Sequence, residues 1–247
     1  MTYLLGFGRV RRRTAAAATP EAMTVLEHLE ELRTRIFKAG IALAVTTTLS
    51  FAFATQLVDF LTAPIGGRAA LVSIEVTENI SAFVRVALLA GVVLGLPFLL
   101  YQAIAYIAPG LTLRERRWLY LFIPAAMVFF VSGVAFAWFV MVPTALPFLI
   151  NFLGIPNHPR PLNYIGFVTS LLFWIGMSFE MPLVIYFMAK LKWVTAGQLI
   201  RSWRYAFMGI ATAAAVITPT ADPLNMGLVM VPLLVLYLIS IALARIA

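Results

Sequence analysis

Carboxylates stand in two basic neighbourhoods of this chain, Glu27-His28-Leu29-Glu30-Glu31-Leu32-Arg33 and Arg114-Glu115-Arg116-Arg117. Acids placed among bases accept charge-assisted hydrogen bonds, each worth about 1.5 to 3 kcal/mol, from an incoming cation. Taken singly, each acid has a plainer reading. Glu31 and Arg35 lie four apart on a helical approach to the first apolar run, the spacing of a surface ion pair worth about 0.3 to 0.5 kcal/mol. Taken together, Glu31 and Glu115 on separate elements offer parallel acceptors to two guanidinium groups. A third acid, Glu180, lies inside an apolar run. Ionised at membrane depth it would cost about 2.5 to 3.5 kcal/mol, so it faces a cavity, a partner or a proton path, or it pins helices together as a hydrogen-bonded neutral acid. Asp222 precedes Pro223 and an apolar run, an ordinary start for a helix.

The elements that must position these groups are apolar helices. Of 247 residues, 62% are apolar and 11% charged, and the mean hydropathy is +0.97. A soluble domain of this length does not carry such a composition, so the chain is expected to be an all-α, polytopic membrane protein. Windows of about 19 residues place spans at Ile36–Thr55, Phe83–Ile107, Trp118–Val142 and Ile165–Ala189. The C-terminal apolar region, Ala206–Ala244, is split by Thr218-Pro219-Thr220-Ala221-Asp222-Pro223, which makes six spans with the fifth and sixth short. At about 1.5 Å per residue, Ala206–Ile217 rises only about 18 Å, less than the hydrocarbon thickness. Pro182 is expected to bend the fourth span just after Glu180.

Charge sets the expected orientation. With both termini in the cytoplasm, fifteen Lys and Arg side chains lie inside and only Arg68, Arg85 and Arg160 outside, which satisfies the positive-inside rule. The net charge of +8 then serves orientation and the lipid surface, and no folded basic module supports a nucleic-acid partner. The outer loops, 56–81 and 141–163, are expected to form partly helical caps. Residues 1–22 read as a disordered basic extension ahead of a transmembrane domain at 23–247.

Enzyme motifs are missing. Neither H-E-x-x-H, a nucleophile elbow nor a phosphate-binding G-x-x-x-x-G-K-[ST] occurs, and His28 and His158 fall on opposite sides of the membrane. The chain has no cysteine, so thiolate metal sites are excluded. No enzyme activity and no cofactor are expected. A proton-coupled small-solute transporter built around Glu180 and a structural assembly protein remain as alternatives, although inverted repeats, which would favour the first, are not apparent.

Six motifs in order carry a resemblance: His28-Leu29-Glu30-Glu31-Leu32-Arg33, Leu61-Thr62-Ala63-Pro64, Tyr101-Gln102 through Tyr106-Ile107-Ala108-Pro109-Gly110-Leu111, Glu115-Arg116-Arg117, Ser178-Phe179-Glu180-Met181-Pro182, and Ile217-Thr218-Pro219-Thr220-Ala221-Asp222-Pro223. Across residues 23–244 the chain resembles TatC, the receptor subunit of the twin-arginine protein translocase. The resemblance implies a protein of the cytoplasmic (inner) membrane that binds the twin-arginine signal peptides of folded precursors. It implies work with TatA and TatB in an oligomeric receptor complex, driven by the proton motive force. Glu31, Glu115 and Arg33 match the family's signal-peptide-binding positions, and Pro64, Tyr106, Glu180 and Asp222 match further functional ones.

Overall fold

The computed structural model describes residues 25–150, 158–218 and 223–247. The expected disorder of 1–22 and the expected cap at Asp222 lie outside the described residues. All regular structure among the described residues is helical. Ten α-helices follow one another among these residues: α1 Val25–Ser50, α2 Ala54–Thr62, α3 Glu78–Ile107, α4 Leu113–Phe136, α5 Val142–Ile150, α6 Pro161–Phe179, α7 Met181–Lys190, α8 Ala196–Arg201, α9 Trp203–Ile217 and α10 Pro223–Ile246.

Among the described residues, four runs are long and apolar enough to cross a membrane: Glu78–Gly110, Trp118–Ile150, Pro161–Lys190 and Asn225–Ile246. A bent pair, Leu26–Ser50 with Ala54–Ile65, passes the same test across a 74° bend. The fifth element, α9, has 15 residues, so it is short as expected. The sixth run, with 22 residues against 30 to 33 in the other three, is the shortest that passes, yet at about 1.5 Å per residue it rises about 33 Å and crosses unaided. Membrane helices tolerate internal proline because neighbouring helices re-satisfy the freed backbone groups, and Pro97, Pro124, Pro147 and Pro232 all lie inside helices here. A π-helical turn, Ala137–Met141, joins α4 to α5.

Helix α6 is central, packed against α3, α4, α9 and α10. Its Ile165, Val168, Leu171 and Ile175 are buried together with Met141, Val142, Ala214 and Val229. Large apolar side chains on the outside, such as Val128, Phe139 and Leu238, are exposed, as a lipid-facing surface requires. Helices α1 and α3 approach closely. A Cβ built on Gly91 would lie 2.7 Å from the Thr47 Cα, and one on Gly95 would lie 3.0 Å from the Thr46 Oγ1. Only a small-xxx-small stripe allows backbones that near.

At one end of the bundle α2, two short 3₁₀ turns and α5 form the partly helical cap expected of the outer loops. Gly66 and Gly67 take positive φ values of 95° and 89°, which end the 3₁₀ turn Ala63–Ile65 where a side chain would be strained. The Tyr164 hydroxyl donates to the Leu61 carbonyl at 2.8 Å, tying α2 to α6. Arg160, at the start of α6, donates to Glu75 at 2.8 Å and also pairs with buried Glu78 at the start of α3. The opposite end gathers the starts of α1 and α4, the end of α3, and α8.

Candidate functional site

The first helical turns of α1 lie against the last turns of α3. His28 stacks on Tyr106 with ring centroids 4.4 Å apart and planes 19° from parallel. One and two turns further along α1, Arg35 bridges the helices: its Nη2 donates to Glu31 Oε1 at 3.2 Å and its Nη1 to Gln102 Oε1 at 3.2 Å. The expected i,i+4 pair therefore exists, but it engages only half of the acid. Glu31 Oε2 is buried and accepts no hydrogen bond. A buried carboxylate oxygen left unpaired is costly and calls for a donor. Beside it runs an open groove of about 430 Å³ lined by Glu27, Glu30, Glu31, Thr34, Arg35 and Lys38. Arg33, next along the helix, is exposed and has no bonded partner among the described residues.

Glu115 follows from the same end of α3 through the turn Ala108–Gly110. It closes a capping box on α4: its Oε2 accepts from the Thr112 N–H at 2.8 Å and the Thr112 hydroxyl at 2.7 Å, while its own N–H donates to Thr112 Oγ1 at 3.4 Å. Four orphan N–H groups open every helix, and this reciprocal pair satisfies part of that demand. The Thr112 hydroxyl, and after it the Thr112 N–H, hold the Glu115 carboxyl below the usual glutamate range. Oε1 has no partner among the described residues. The adjoining Arg116 donates to the Tyr120 hydroxyl at 3.4 Å, and Lys190 sits 5.7 Å from the Trp118 ring centre. Cations over aromatic faces in this region suit a membrane–water boundary.

Glu180 sits in the break between α6 and α7, with Pro182 in the first turn of α7. The helix is interrupted where proline was expected to bend it. Both carboxylate oxygens are buried and neither has a hydrogen-bond partner among the described residues. Pro64 belongs to the opposite cap, in the 3₁₀ turn Ala63–Ile65, beside a cavity of about 540 Å³ shared with Pro143, Pro147 and His158. Sequence-derived candidates thus fall in separate places. Glu31 and Tyr106 are joined through Gln102, Arg35 and His28, Glu115 follows from the end of α3, Glu180 lies within the fourth span, and Pro64 lies at the far end of α3 from Tyr106.

Two participants were not named as site residues from sequence, although Gln102 stands in one of the six motifs. Gln102, buried on α3, fixes the Arg35 fork, and a lone amide in an apolar span was the available signal. The Arg160–Glu78 pair joins residues 82 apart, which no local pattern reveals.

The model of the family described as Sec-independent protein translocase protein (TatC) matches residues 27–232. The chain belongs to the TatC family. A TatC from Deinococcus radiodurans is 38% identical over 240 residues, covering 93% of this chain and 89% of that protein. A chloroplast TatC of Arabidopsis thaliana is 36% identical over 219 residues, covering 87% of this chain and 64% of that longer protein. The crystal structure of a twin arginine translocase receptor, TatC, superposes with a TM-score of 0.79 at 32% identity, covering 89% of this chain and 99% of that one. The fold is therefore the six-helix membrane fold of TatC, and its role is in protein translocation.

Proposed function

We propose that the chain is the signal-peptide receptor of a twin-arginine translocase, with the Glu31 end facing the cytoplasm. The observation that carries this reading is the buried Oε2 of Glu31, without a partner among the described residues, beside a groove lined by three glutamates with Thr34, Arg35 and Lys38. An arginine can supply two parallel N–H donors to such an acceptor, whereas lysine brings a compact ammonium that cannot reproduce the fork. Glu31 takes one guanidinium of the motif and Oε1 of Glu115 the other, with Arg33 shaping the exposed rim. Tyr106 props this end of α1 through its stack with His28. The apolar part of the signal lies in the bilayer along the bundle toward Glu180, whose buried carboxyl acts at a later, proton-linked step. Pro64 sets the far cap. TatA and TatB join the receptor in the cytoplasmic membrane, and the proton motive force drives export.

Export of a reporter bearing Arg-Arg or Lys-Lys, in cells lacking their own receptor, tests this. The chain should restore export of the first and not the second. Equal export of both, or of neither despite normal membrane abundance, would overturn the reading.

A further inference from the structure

Arg85 is a cation that the translocation reading leaves unused. It lies on α3 two turns beyond Glu78, is exposed, and makes no ion pair or hydrogen bond among the described residues. Its guanidinium does not reach along α3 toward the capped end. It turns sideways against α6, where a Cβ on Gly166 would come within 2.6 Å of Arg85 Nη1. A cleft of about 580 Å³ opens at this point between α3, α6 and α9, lined among others by Arg85, Asn163, Ser170, Phe167, Trp174 and Ile217. The Asn163 amide and the Ser170 hydroxyl likewise have no bonded partner among the described residues. Three polar groups without a bonded partner among the described residues therefore line one opening, and apolar walls surround them.

Depth narrows the ligand. With the span taken to end at Ile107, as its apolar run in the sequence does, Arg85 lies 22 residues from that edge along the same helix, a rise of about 33 Å. The hydrocarbon core is about 30 Å thick, so Arg85 stands at the level of phosphate groups in the leaflet at the Pro64 end. A guanidinium there needs an anion or water, and a phosphodiester matches its fork. The cleft is too small to seat another helix, whose diameter with side chains is about 10 to 12 Å, but it suits a headgroup with the first carbons of its chains. We propose that this cleft binds the phosphodiester of one phospholipid, with the phosphate on Arg85 and Asn163 and the acyl chains along Phe167, Trp174 and Ile217. Gly166 is required to let the guanidinium lie flat against α6.

The test uses the purified full-length chain, delipidated in mild detergent and titrated separately with phosphatidylglycerol, with diacylglycerol of the same chains and with inorganic phosphate. Bound molecules are counted by native mass spectrometry, and helical circular dichroism checks the fold. One phosphatidylglycerol should be retained through detergent dilution, and diacylglycerol or phosphate alone should not. Arg85→Ala should weaken retention by about tenfold or more, the lower end of what a charge-assisted contact provides. Gly166→Leu, which keeps the positive charge but fills the cleft and pushes the guanidinium off α6, should do the same. Unchanged retention in either folded variant, or equal retention of diacylglycerol, would overturn the proposal. A photo-reactive residue at Val216, on the wall of the cleft, should give a lipid adduct in native membranes; a polypeptide adduct there would also overturn it.

Discussion

Replacing Gly91 by alanine tests whether the close approach of α1 and α3 positions the acidic end. Two effects of opposite sign compete. In an open helix, glycine to alanine stabilises by about 0.8 to 1 kcal/mol through backbone entropy. At Gly91, however, the new Cβ would lie 2.4 Å from Thr47 Oγ1, 2.7 Å from its Cα and 2.8 Å from its N. Carbon contacts settle near 3.5 to 4.0 Å, so α1 must retreat by about 1 Å. Overpacking of this kind costs about 1 to 3 kcal/mol, and because two of the three atoms are backbone, no rotamer change relieves it. The overpacking term outweighs the propensity gain, for a net loss of up to about 2 kcal/mol. At Gly40, also on α1, an added methyl would meet nothing within 4 Å, so Gly40→Ala isolates the propensity term and should be neutral or stabilising. Unfolding by detergent titration, followed by circular dichroism, should separate the two variants. Retreat of α1 also loosens the Arg35–Gln102 bridge and the His28–Tyr106 stack, so Gly91→Ala should crosslink less signal peptide than Gly40→Ala. Thr47→Ala should not rescue it, since the Thr47 backbone atoms remain in the way. If both glycine variants unfold together and crosslink alike, helix approach does not govern this end.

Glu115→Gln should retain a capping acceptor while removing the charge. Because the native Glu115 carboxyl titrates below its usual value of 4.5, it contributes stability that is complete above that value and is lost as pH falls through the lowered native one. Hydrogen exchange at the start of α4 should therefore show an acid-side loss of protection in the parent that is absent in Glu115→Gln. Glu180→Gln should leave thermal stability and twin-arginine crosslinking within error of the parent yet reduce export, since an amide matches the shape of a buried acid but has no titratable proton; loss of crosslinking would contradict the assignment to a later step. Arg160→Ala strands buried Glu78 and should lower the thermal midpoint and expose residues 72–78 to protease, with little change in crosslinking.

The spans were legible because a long apolar run leaves few alternatives in lipid. The break at Glu180 followed from Pro182, and the short α9 from the paired prolines beyond it. Glu31 was legible as an acid among bases, and its spacing to Arg35 announced an ion pair. What local pattern does not encode is how that pair divides the carboxylate, one oxygen on Arg35 and one buried alone. That division depends on Gln102, 67 residues from Arg35, and so on α1 packing against α3. The stripe Gly91-Val92-Val93-Leu94-Gly95 carried the signal for that packing, because small residues four apart on one face invite a second backbone. Glu115 illustrates the converse: Thr112 three residues before it is a readable capping box, which gives the acid a structural task alongside any ligand.

The account stands on Glu31 as an arginine-selective acceptor, and the most direct measurement is the affinity of the reconstituted chain for signal peptides carrying Arg-Arg or Lys-Lys, before and after Glu31→Gln. The parent should prefer Arg-Arg, and the amide variant should lose about tenfold or more of that preference, as expected when a charge-assisted, forked contact becomes a neutral one. Binding of Lys-Lys should change far less. A preference that survives Glu31→Gln undiminished would contradict the account.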